Sequence, residues 1–585
     1  MGTPRSMTNP KLKTQLWEYG KRRRTDGVYA DNLEVDALVV GGGFGGIFCF
    51  WSLRNAGLNP VMFEAGSGYG GTWRWNCYPG AMVDSEVPEY QLSIPETWKT
   101  YDWPNNYPSY HELRNYFDHC DKMLDISSRT AFETVVTGAT FNTKEGRWRV
   151  STADGRTAKA KYLVIAAGFA AKRYVPNWHG IEKFKGFVSH SSFWPDDEID
   201  VKDKKCAIIG TGATGVQITQ AWGPKAGHLK VFQRTPNLTV PMRLRNLTVE
   251  EQTEGKKWYP ELFQFREKCF GGFLYTFSEK SCFEDSPEER EAFFEKLWTD
   301  GGFRYWLGNY KDYLHSPQAN RAVYDFWQKK QAVRIKDPRK RDILVPKEPP
   351  HPWGVKRPCL EYGYFEQFNR PNVDVVDIKK NPIQEFNENG IKLRDGTQHD
   401  FDVIVIATGF DVVTGGMTAM GLTALNGETL EQQWKKAAYT YLGTTVSGYP
   451  NMVRGDYQRV QCLPRACLLI TLQFHLYGPQ GPTLLSNGPT SVEIQGRWIT
   501  DVIKKCEREG IKYINATEEA SKDWKRKINE LSDVSLFPTT KSTYMGGSDP
   551  KKAFEQTNYP GGEYNYHQEI RSVLPDLKGF DVVKA

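Results

Sequence analysis

The chain has 585 residues, which is too long for one hydrophobic core, because single cores stop growing near about 250 to 300 residues. It carries 76 Lys and Arg against 70 Asp and Glu, and a net charge of +6 on so large a surface does not favour a nucleic acid as partner. No run approaches the roughly 20 apolar residues of a membrane span, and residues 1–32 lack the apolar core of a signal peptide, so we expect a soluble, cytoplasmic, multidomain protein.

Cysteines and histidines are not grouped along the chain. The ten cysteines contain no Cys-x-x-Cys pair, and the ten histidines are dispersed. A zinc site or a disulfide framework requires grouped ligands or regularly spaced cysteines. We therefore predict no metal site, and we expect most cysteines to be small buried hydrophobic residues.

The first nucleotide-binding signature is an apolar strand, residues 35–40, that leads into a Gly-x-Gly-x-x-Gly loop and then a helix. Gly41 permits the tight turn, Gly43 lets the backbone approach a pyrophosphate, and Gly46 lets the helix pack closely on the strand. The next apolar strand ends in Glu64, a carboxylate that can accept hydrogen bonds from a ribose diol and would repel a 2′-phosphate. This site is predicted to bind FAD or NAD rather than NADP.

A second signature of the same kind has a different ending. Its loop glycines are Gly210, Gly212 and Gly215, again between an apolar strand and a helix. The following strand ends without an acid and is succeeded by Arg234 and Thr235, a guanidinium and a hydroxyl that suit a 2′-phosphate. We interpret this site as an NADPH site; the alternative is a surface arginine that happens to follow a strand.

Two apolar strands that end in glycine, at residues 162–168 and 403–409, return the chain to a sheet. The predicted fold class is α/β, with two doubly wound Rossmann-like domains, one inserted in the other, and a helical insertion. NADPH at the second site would pass hydride to FAD at the first. The expected domains are an N-terminal extension (1–34), the FAD domain in two parts (35–170 and 409–585), the NADPH domain in two parts (171–240 and 346–408) and the helical insertion (241–345).

The segment between the two loops reads Phe-Lys-Gly-Phe-Val-Ser-His-Ser-Ser-Phe-Trp-Pro. It resembles the fingerprint linker of the type I Baeyer–Villiger monooxygenases, with Phe184, Gly186, His190, Trp194 and Pro195 at the five matching positions. Related flavin monooxygenases that oxidise nitrogen and sulfur carry Tyr or Phe where Trp194 stands. The resemblance therefore favours the branch of the family that oxidises ketones.

Other motifs resemble the same family. Residues 70–73 and 78–84 resemble its flavin-adjacent segment, and residues 353–358 resemble the segment that brings a catalytic arginine to the flavin. The resemblance implies that Arg357 is this arginine and that Asp84 orients it. Further residues expected to contact FAD or NADPH are Phe44, Gly71, Thr72, Trp73, Tyr90, Thr211, Thr214, Lys356, Thr408 and Gly409.

The activity that the resemblance implies is insertion of one oxygen atom of O2 beside a ketone carbonyl, driven by NADPH through a C4a-peroxyflavin, to give an ester or lactone. A permanently charged Arg357 would stabilise the peroxide anion and the tetrahedral adduct that follows. His190 is interpreted as a positional residue rather than an acid or base. The alternatives are an N- or S-oxygenating flavin monooxygenase and a non-catalytic NADP(H)-sensing flavoprotein; a disulfide reductase would need a cysteine pair near the flavin.

The chain departs from the family pattern near its C-terminus. The family has a tryptophan that contacts the nicotinamide ribose at the position where this chain has Thr543. A second departure is residues 453–473, which separate two motifs that are contiguous in related chains. These 21 residues begin with Val (codon GT-) and end with Gln (CAG), and 21 × 3 = 63 nucleotides stay in frame, so we interpret them as a retained intron or gene-model error; a substrate-shaping loop is the alternative.

Overall fold

The computed structural model describes residues 31–192, 194–195, 198–449, 472–547 and 552–584. Nearly all of the predicted N-terminal extension lies outside these residues. So does the predicted insert, except for its last two residues, Leu472 and Gln473. Among the described residues, no helix combines the length and the apolar character that a membrane crossing requires.

The twenty strands of the described residues divide among two large sheets and three small ones. In chain order they are β1 (Leu33–Val40), β2 (Pro60–Phe63), β3 (Thr130–Ala131), β4 (Val136–Asn142), β5 (Arg147–Thr152), β6 (Thr157–Ile165), β7 (Phe187–His190), β8 (Lys205–Ile209), β9 (His228–Gln233), β10 (Val240–Pro241), β11 (Leu360–Glu361), β12 (Val373–Asp377), β13 (Ile383–Phe386), β14 (Gly390–Leu393), β15 (Gln398–Asp400), β16 (Val403–Ile406), β17 (Leu422–Thr423), β18 (Leu472–His475), β19 (Ile511–Ala516) and β20 (Phe580–Lys584).

The helices of the described residues, apart from short 3-10 turns, are α1 (Phe44–Asn55), α2 (Thr72–Trp75), α3 (Pro95–Trp98), α4 (Tyr110–Leu124), α5 (Ala213–Trp222), α6 (Val249–Lys256), α7 (Tyr259–Arg266), α8 (Pro287–Asp300), α9 (Arg304–Leu307), α10 (Pro317–Ala332), α11 (Pro338–Leu344), α12 (Tyr364–Gln367), α13 (Gly415–Thr418), α14 (Leu430–Gln433), α15 (Gly488–Glu509), α16 (Glu518–Asp533) and α17 (Glu563–Val573).

The first large sheet joins strands from both ends of the chain. Its order is β17-β4-β5-β6-β1-β2-β3, and β18 pairs with the C-terminal half of β6. β1 lies parallel between β2 and β6, with Val40 opposite Phe63 on one side and Ile165 on the other. The central residues of β1 are fully buried, because parallel strands are covered on both faces. The C-terminal part of the chain therefore completes the sheet that begins with the first glycine loop.

The second large sheet is entirely parallel and has the order β12-β9-β8-β16-β7. Its edge strand β7 lies inside the segment that the sequence analysis treats as a linker. That interpretation is too simple, because β7 pairs with β16 along its whole length and His190 lies opposite Ile406. The fingerprint histidine therefore ends a strand, and its backbone position is fixed by the sheet.

Helices α6 to α11 follow β10 and form a largely helical region before β11. α8 begins with a capping box, in which Ser286 accepts from the Glu289 N–H and the Glu289 side chain accepts from the Ser286 N–H. The region also anchors Trp353, whose N–H donates to Asn320 Oδ1 at 2.7 Å and whose carbonyl accepts from Asn320 Nδ2 at 2.9 Å. The chain just before Arg357 is thereby held against α10.

Helix α15 packs closely on α1, the helix that follows the first glycine loop. A Cβ on Gly496 would lie 2.6 Å from the Phe48 ring, so the two helices can approach only with glycine at this position. This packing brings the start of α15, from Gly488 to Val492, to the entrance of the first glycine loop. Residues from the two ends of the chain thus meet at one site.

Candidate active site

The first glycine loop has the backbone that a pyrophosphate site needs. Gly41 has φ +111°, and its N–H donates to Phe63 O at 2.8 Å. A Cβ on Gly46 would lie 1.8 Å from Gly41 O, so only glycine lets α1 start this close to the strand. The N-cap of α1 is Gly43, and no side chain caps the helix, which leaves the first N–H groups of α1 available to an anion.

Glu64 lies at the end of β2 with its carboxylate beside this loop. The side chain is 3% exposed and accepts from Gly42 N at 2.5 Å and from Gly66 N at 2.6 Å. Burial raises the pKa of Glu64, and the two backbone donors and Arg74 partly offset that rise. The carboxylate can still accept hydrogen bonds at its remaining lone pairs, as a ribose diol would require.

A deep cavity extends from the first loop toward α15. The empty space inside it and at its open mouth amounts to about 1430 Å³. Tyr90 and Trp73 line it together, with Trp73 Nε1 donating to the Tyr90 hydroxyl at 3.0 Å. Predicted cofactor residues that line the cavity are Gly41, Gly43, Phe44, Glu64, Gly71, Thr72, Trp73 and Tyr90; lining residues that sequence reasoning missed include Ser192, Met420, Leu476, Tyr477 and Val492.

The residues around the cavity fit FAD. The bare helix N-terminus suits the pyrophosphate, Glu64 suits the adenosine ribose, and the mainly apolar and aromatic wall suits an isoalloxazine ring. Two predicted cofactor residues, Gly46 and Asp84, do not line the cavity. Gly46 lies behind the loop and supports its shape.

The second glycine loop repeats the geometry of the first. Gly210 has φ +114°, and a Cβ on Gly215 would lie 2.1 Å from Gly210 O. A Cβ on Gly212 would meet nothing within 4 Å, so this position is open to a ligand. The Thr211 hydroxyl donates to Thr235 O at 2.7 Å and ties the loop to the turn after β9. Thr214 follows in the first turn of α5, which begins without a side-chain cap.

Cations converge beyond that turn. Arg234 is exposed after β9, and Lys356 is half-buried. Burial lowers the pKa of Lys356, the positive charges of Arg234 and Lys379 act in the same direction, and together they bring it to about 8. Over the described ranges, neither Arg234 nor Lys356 has an ion pair with a carboxylate. A bound 2′-phosphate would neutralise the positive charges of Arg234 and Lys356.

Arg357 and Asp84 form a two-point ion pair. Arg357 Nε donates to Asp84 Oδ2 at 2.8 Å, and Nη2 donates to Oδ1 at 2.7 Å. The third nitrogen, Nη1, donates to Leu484 O at 3.1 Å. The fork geometry fixes the plane of the guanidinium, as bidentate arginine–carboxylate pairs do. The structure thus joins two residues that are 273 positions apart.

The guanidinium of Arg357 lies over the Phe303 ring at 4.6 Å and near the Trp306 ring at 5.6 Å. Burial lowers the pKa of Arg357, but Asp84 more than offsets this, so the pKa stays above its ordinary value and the group stays charged. Its charge also acts on Tyr90 and Tyr477, two phenols that line the FAD cavity. Arg357 is therefore a fixed cation beside that cavity.

His190 is fully buried at the junction of the two large sheets. Its Nδ1 hydrogen-bonds Ser192 Oγ at 2.9 Å, and its Nε2 hydrogen-bonds Gly409 O at 3.0 Å. Burial, and then the charge of Arg173, lower the pKa of His190 to about 3. The ring is neutral near pH 7, and it links the edge of the second sheet to Ser192 in the cavity wall. Neighbouring Thr408 donates to Tyr174 O at 2.5 Å.

The other fingerprint residues pack the same junction. A Cβ on Gly186 would lie 2.5 Å from Asp402 O, and Phe184 is buried in the core of the second domain. The Trp194 ring lies 5.9 Å from the Trp222 ring, and its carbonyl accepts from Cys77 Sγ at 3.7 Å. Half-buried Pro195 follows. None of these side chains lines the FAD cavity.

Thr543 is half-buried, and the residue after it lies close to Arg357. The Tyr544 hydroxyl donates to Leu484 O at 3.4 Å, the same carbonyl that accepts from Arg357 Nη1. Sequence reasoning did not assign a role to Tyr544, and only its place beside the expected tryptophan position could have indicated one.

Comparison with known proteins places the chain among flavoproteins. A family model described as pyridine nucleotide-disulphide oxidoreductase matches residues 35–254, which include both glycine loops. The eight described cysteines are buried thiols, and none of them lines the FAD cavity. The match therefore reflects the nucleotide-binding domains rather than disulfide chemistry.

Full-length relatives are more specific. FAD-binding monooxygenase acrE of Aspergillus aculeatus is 53% identical over 574 residues, 98% of this chain and 93% of the relative. A Baeyer-Villiger monooxygenase of Pseudooceanicola batsensis is 36% identical over 555 residues, 94% of this chain and 96% of the relative. The crystal structure of cyclohexanone monooxygenase from Rhodococcus sp. Phi1 bound to NADP+ is 34% identical with a TM-score of 0.87, over 95% of this chain and all of that chain.

Proposed function

Because the chain belongs to the family of FAD- and NADPH-dependent Baeyer–Villiger monooxygenases, we propose that it converts a ketone to an ester or lactone at the cavity beside Arg357. The observation that carries this assignment is the two-point pair of Arg357 and Asp84 next to a cavity suited to FAD. FAD, when bound, accepts hydride from NADPH and activates O2, which supplies the inserted oxygen atom.

The chain's own residues bind the two nucleotides separately. We assign the N–H groups at the start of α1 to the FAD pyrophosphate and Glu64 to its ribose. We assign the start of α5 to the NADPH pyrophosphate, and Arg234 with Lys356 to its 2′-phosphate. His190 is neutral and stabilises the junction between the two sites.

Arg357 is the group that stabilises negative charge during oxygen insertion. The attacking oxygen carries negative charge before it adds to a ketone, and the addition moves that charge to the former carbonyl oxygen. A permanently charged guanidinium can stabilise both without a change in protonation. Asp84 holds two of its nitrogens, so the cation is oriented before substrate binds. The aromatic rings of Phe303 and Trp306 give the same region an apolar wall.

The substrate class is proposed as ketones, with cyclic ketones tested first because a structural neighbour is a cyclohexanone monooxygenase. Product identity is the test. An ester or lactone supports the proposal, whereas an N-oxide or sulfoxide as the only product would assign the chain to the nitrogen- and sulfur-oxidising enzymes. We also propose a cytoplasmic location.

Replacing Arg234 by alanine is expected to weaken NADPH binding by about tenfold, because a charge-assisted hydrogen bond to the 2′-phosphate is lost. NADH has no 2′-phosphate, so its dissociation constant should not change. Titration of the FAD-loaded variant with each nucleotide measures both constants. An equal loss for NADPH and NADH would show that Arg234 does not read the phosphate.

The affinity for NADP+ is expected to fall as the pH rises above about 8. Lys356 has a pKa of about 8 in the free protein, and a bound 2′-phosphate would raise it. Above about pH 8 the complex with NADP+ keeps a proton on Lys356 that the free protein has lost. The dissociation constant of NADP+ therefore increases by up to about tenfold per pH unit above about pH 8. The Lys356→Arg variant should keep its charge and show a flat profile, and a wild-type profile that is flat from pH 7 to about 9.5 would contradict this prediction.

A further inference from the structure

A row of hydroxyl groups leads away from the FAD cavity into the protein. The Tyr477 hydroxyl donates to Thr483 O, and the Ser486 hydroxyl donates to the same carbonyl at 3.0 Å. The two hydroxyls therefore meet at one carbonyl oxygen, and the Ser486 hydroxyl also contacts Pro482 O. Ser486 Oγ and Ser491 Oγ then lie 2.6 Å apart. Tyr477 lines the cavity, so the row begins at the cofactor site.

The row ends at a carboxyl group. Ser491 Oγ hydrogen-bonds Glu563 Oε1, a contact in which a protonated carboxyl can be the donor, and the Glu563 side chain is 0% exposed. The other oxygen, Oε2, is buried and has no hydrogen-bond partner in the described part of the chain. A buried carboxylate without a partner cation is costly, whereas a protonated carboxyl is tolerated and can donate. Glu563 is the first residue of α17, which holds it facing α15.

Charged and titratable groups surround Glu563 on the side away from the cavity. Glu267 lies near the surface, with its side chain 20% exposed, and it faces His567 Nδ1 at 3.8 Å. These two side chains offer a way to solvent. The titratable and charged groups that act on Glu563 are Arg266, Glu267, Tyr477 and Tyr566. Arg266 is itself paired with Glu493, and Glu267 is paired with Arg497 and lies near His567.

A Baeyer–Villiger turnover consumes a proton, because NADPH, H+, O2 and a ketone give NADP+, an ester and water. The proton must reach a cavity that is closed by protein on most sides. Resting on the proposed function, we propose that Ser486, Ser491 and Glu563 form a proton relay that delivers this proton to the Tyr477 edge of the cavity. Ser486 lies just before α15, Ser491 lies in its first turn, and Glu563 is the first residue of α17.

The relay moves protons and no electrons. The O–H bond of the Glu563 carboxyl breaks, and its proton passes to Ser491, which gives its own hydroxyl proton to Ser486. The Ser486 hydroxyl turns from Thr483 O toward the Tyr477 phenol and gives it a proton, and the phenolic proton goes to the oxygen atom of O2 that leaves as water. Glu563 is left as a carboxylate and regains a proton from solvent through the region of Glu267. Each serine hydroxyl has one donor and two acceptor sites, as such a transfer needs.

Protonation of Glu563 fits this role at neutral pH. Burial raises its pKa to about 8, with smaller lowering effects from Ser491 and Ser486. The carboxyl is therefore a proton donor below about pH 8 and loses this capacity as the pH rises further. Delivery of the proton should slow above that pH in the wild type.

The test uses the FAD-loaded enzyme turning over a ketone, with proton uptake followed by an indicator dye in a stopped-flow instrument and with kcat measured across pH. Glu563→Gln is expected to slow proton uptake by about tenfold or more and to remove the fall in kcat above about pH 8. Ser491→Ala should slow proton uptake to a similar degree although Glu563 remains, and Ser491→Thr should restore it, because the hydroxyl returns.

Glu89→Gln is the matched control. Burial raises the pKa of Glu89 to about 8, and its Oε2 also lacks a partner among the described residues, but it is not joined to the hydroxyl row. This variant should keep the wild-type rate and pH profile. The relay is overturned if folded Glu563→Gln takes up protons at the wild-type rate, or, should that variant not fold, if Ser491→Ala does so. A wild type that forms no ester from any ketone would overturn the proposed function and the relay together.

Discussion

Replacement of Arg357 by alanine is expected to lower the rate of ester formation by about 10²- to 10³-fold, the effect of removing a preorganised donor to a developing oxyanion. The loss corresponds to about 2.7 to 4 kcal/mol of barrier. Reduction of FAD by NADPH should persist, because Arg357 binds neither nucleotide in our assignment. The variant should therefore oxidise NADPH and release peroxide, and product analysis beside NADPH consumption measures the difference.

Two further variants separate charge from geometry at this position. Arg357→Lys keeps a cation but cannot form the two-point pair with Asp84, so we expect activity between those of the wild type and the alanine variant. Asp84→Asn keeps the shape and removes the charge that orients the guanidinium. An Arg357→Ala enzyme that forms ester at the wild-type rate would refute the assignment of Arg357.

Replacement of Gly46 by alanine is expected to weaken FAD binding by about 100-fold or more. The new Cβ would lie 1.8 Å from Gly41 O, so α1 must move away from β1 and carry the pyrophosphate donors with it. Overpacking of this kind costs about 1 to 3 kcal/mol before the loss of the donors is counted. The ratio of flavin absorbance to protein absorbance after purification measures the effect.

The control for this substitution lies in the other loop. Alanine at Gly212 would meet nothing within 4 Å, so the protein should fold and bind FAD normally. The added methyl group would occupy the space that we assign to NADPH, and affinity for NADPH should fall. A Gly46→Ala protein that retains full FAD content would show that α1 tolerates the displacement.

The two nucleotide-binding loops are predictable from sequence because their chemistry is local. Gly41 and Gly46 serve the turn and the close packing of adjacent elements, and the strand, loop and helix follow one another in the chain. The two-domain α/β fold follows from two such units, and the related structures confirm it. Periodicity and turn residues carry this much information without any knowledge of distant contacts.

The cavity walls supplied by the C-terminal part of the chain are not predictable in this way. Leu476, Tyr477 and Val492 reach the cavity because β18 joins β6 and α15 packs on α1, pairings between residues more than 300 positions apart. No local pattern specifies such contacts. The same limit explains β7, whose partner strand β16 begins more than 200 residues later.

The pairing of Arg357 with Asp84 was expected only through the family resemblance. Composition and spacing could not show that two charged residues 273 positions apart meet at one cavity. No sequence pattern indicates the contact between Ser491 and Glu563. A lone glutamate at the start of a helix is ordinarily explained as a favourable charge near the helix dipole.

The most direct test of the central claim is incubation of the FAD-loaded protein with NADPH, ¹⁸O2 and a panel of cyclic and linear ketones, followed by mass spectrometry of the products. The account predicts an ester or lactone that carries one ¹⁸O atom, formed in proportion to the NADPH consumed. Products without ¹⁸O, or NADPH oxidation that yields only peroxide with every ketone, would contradict it.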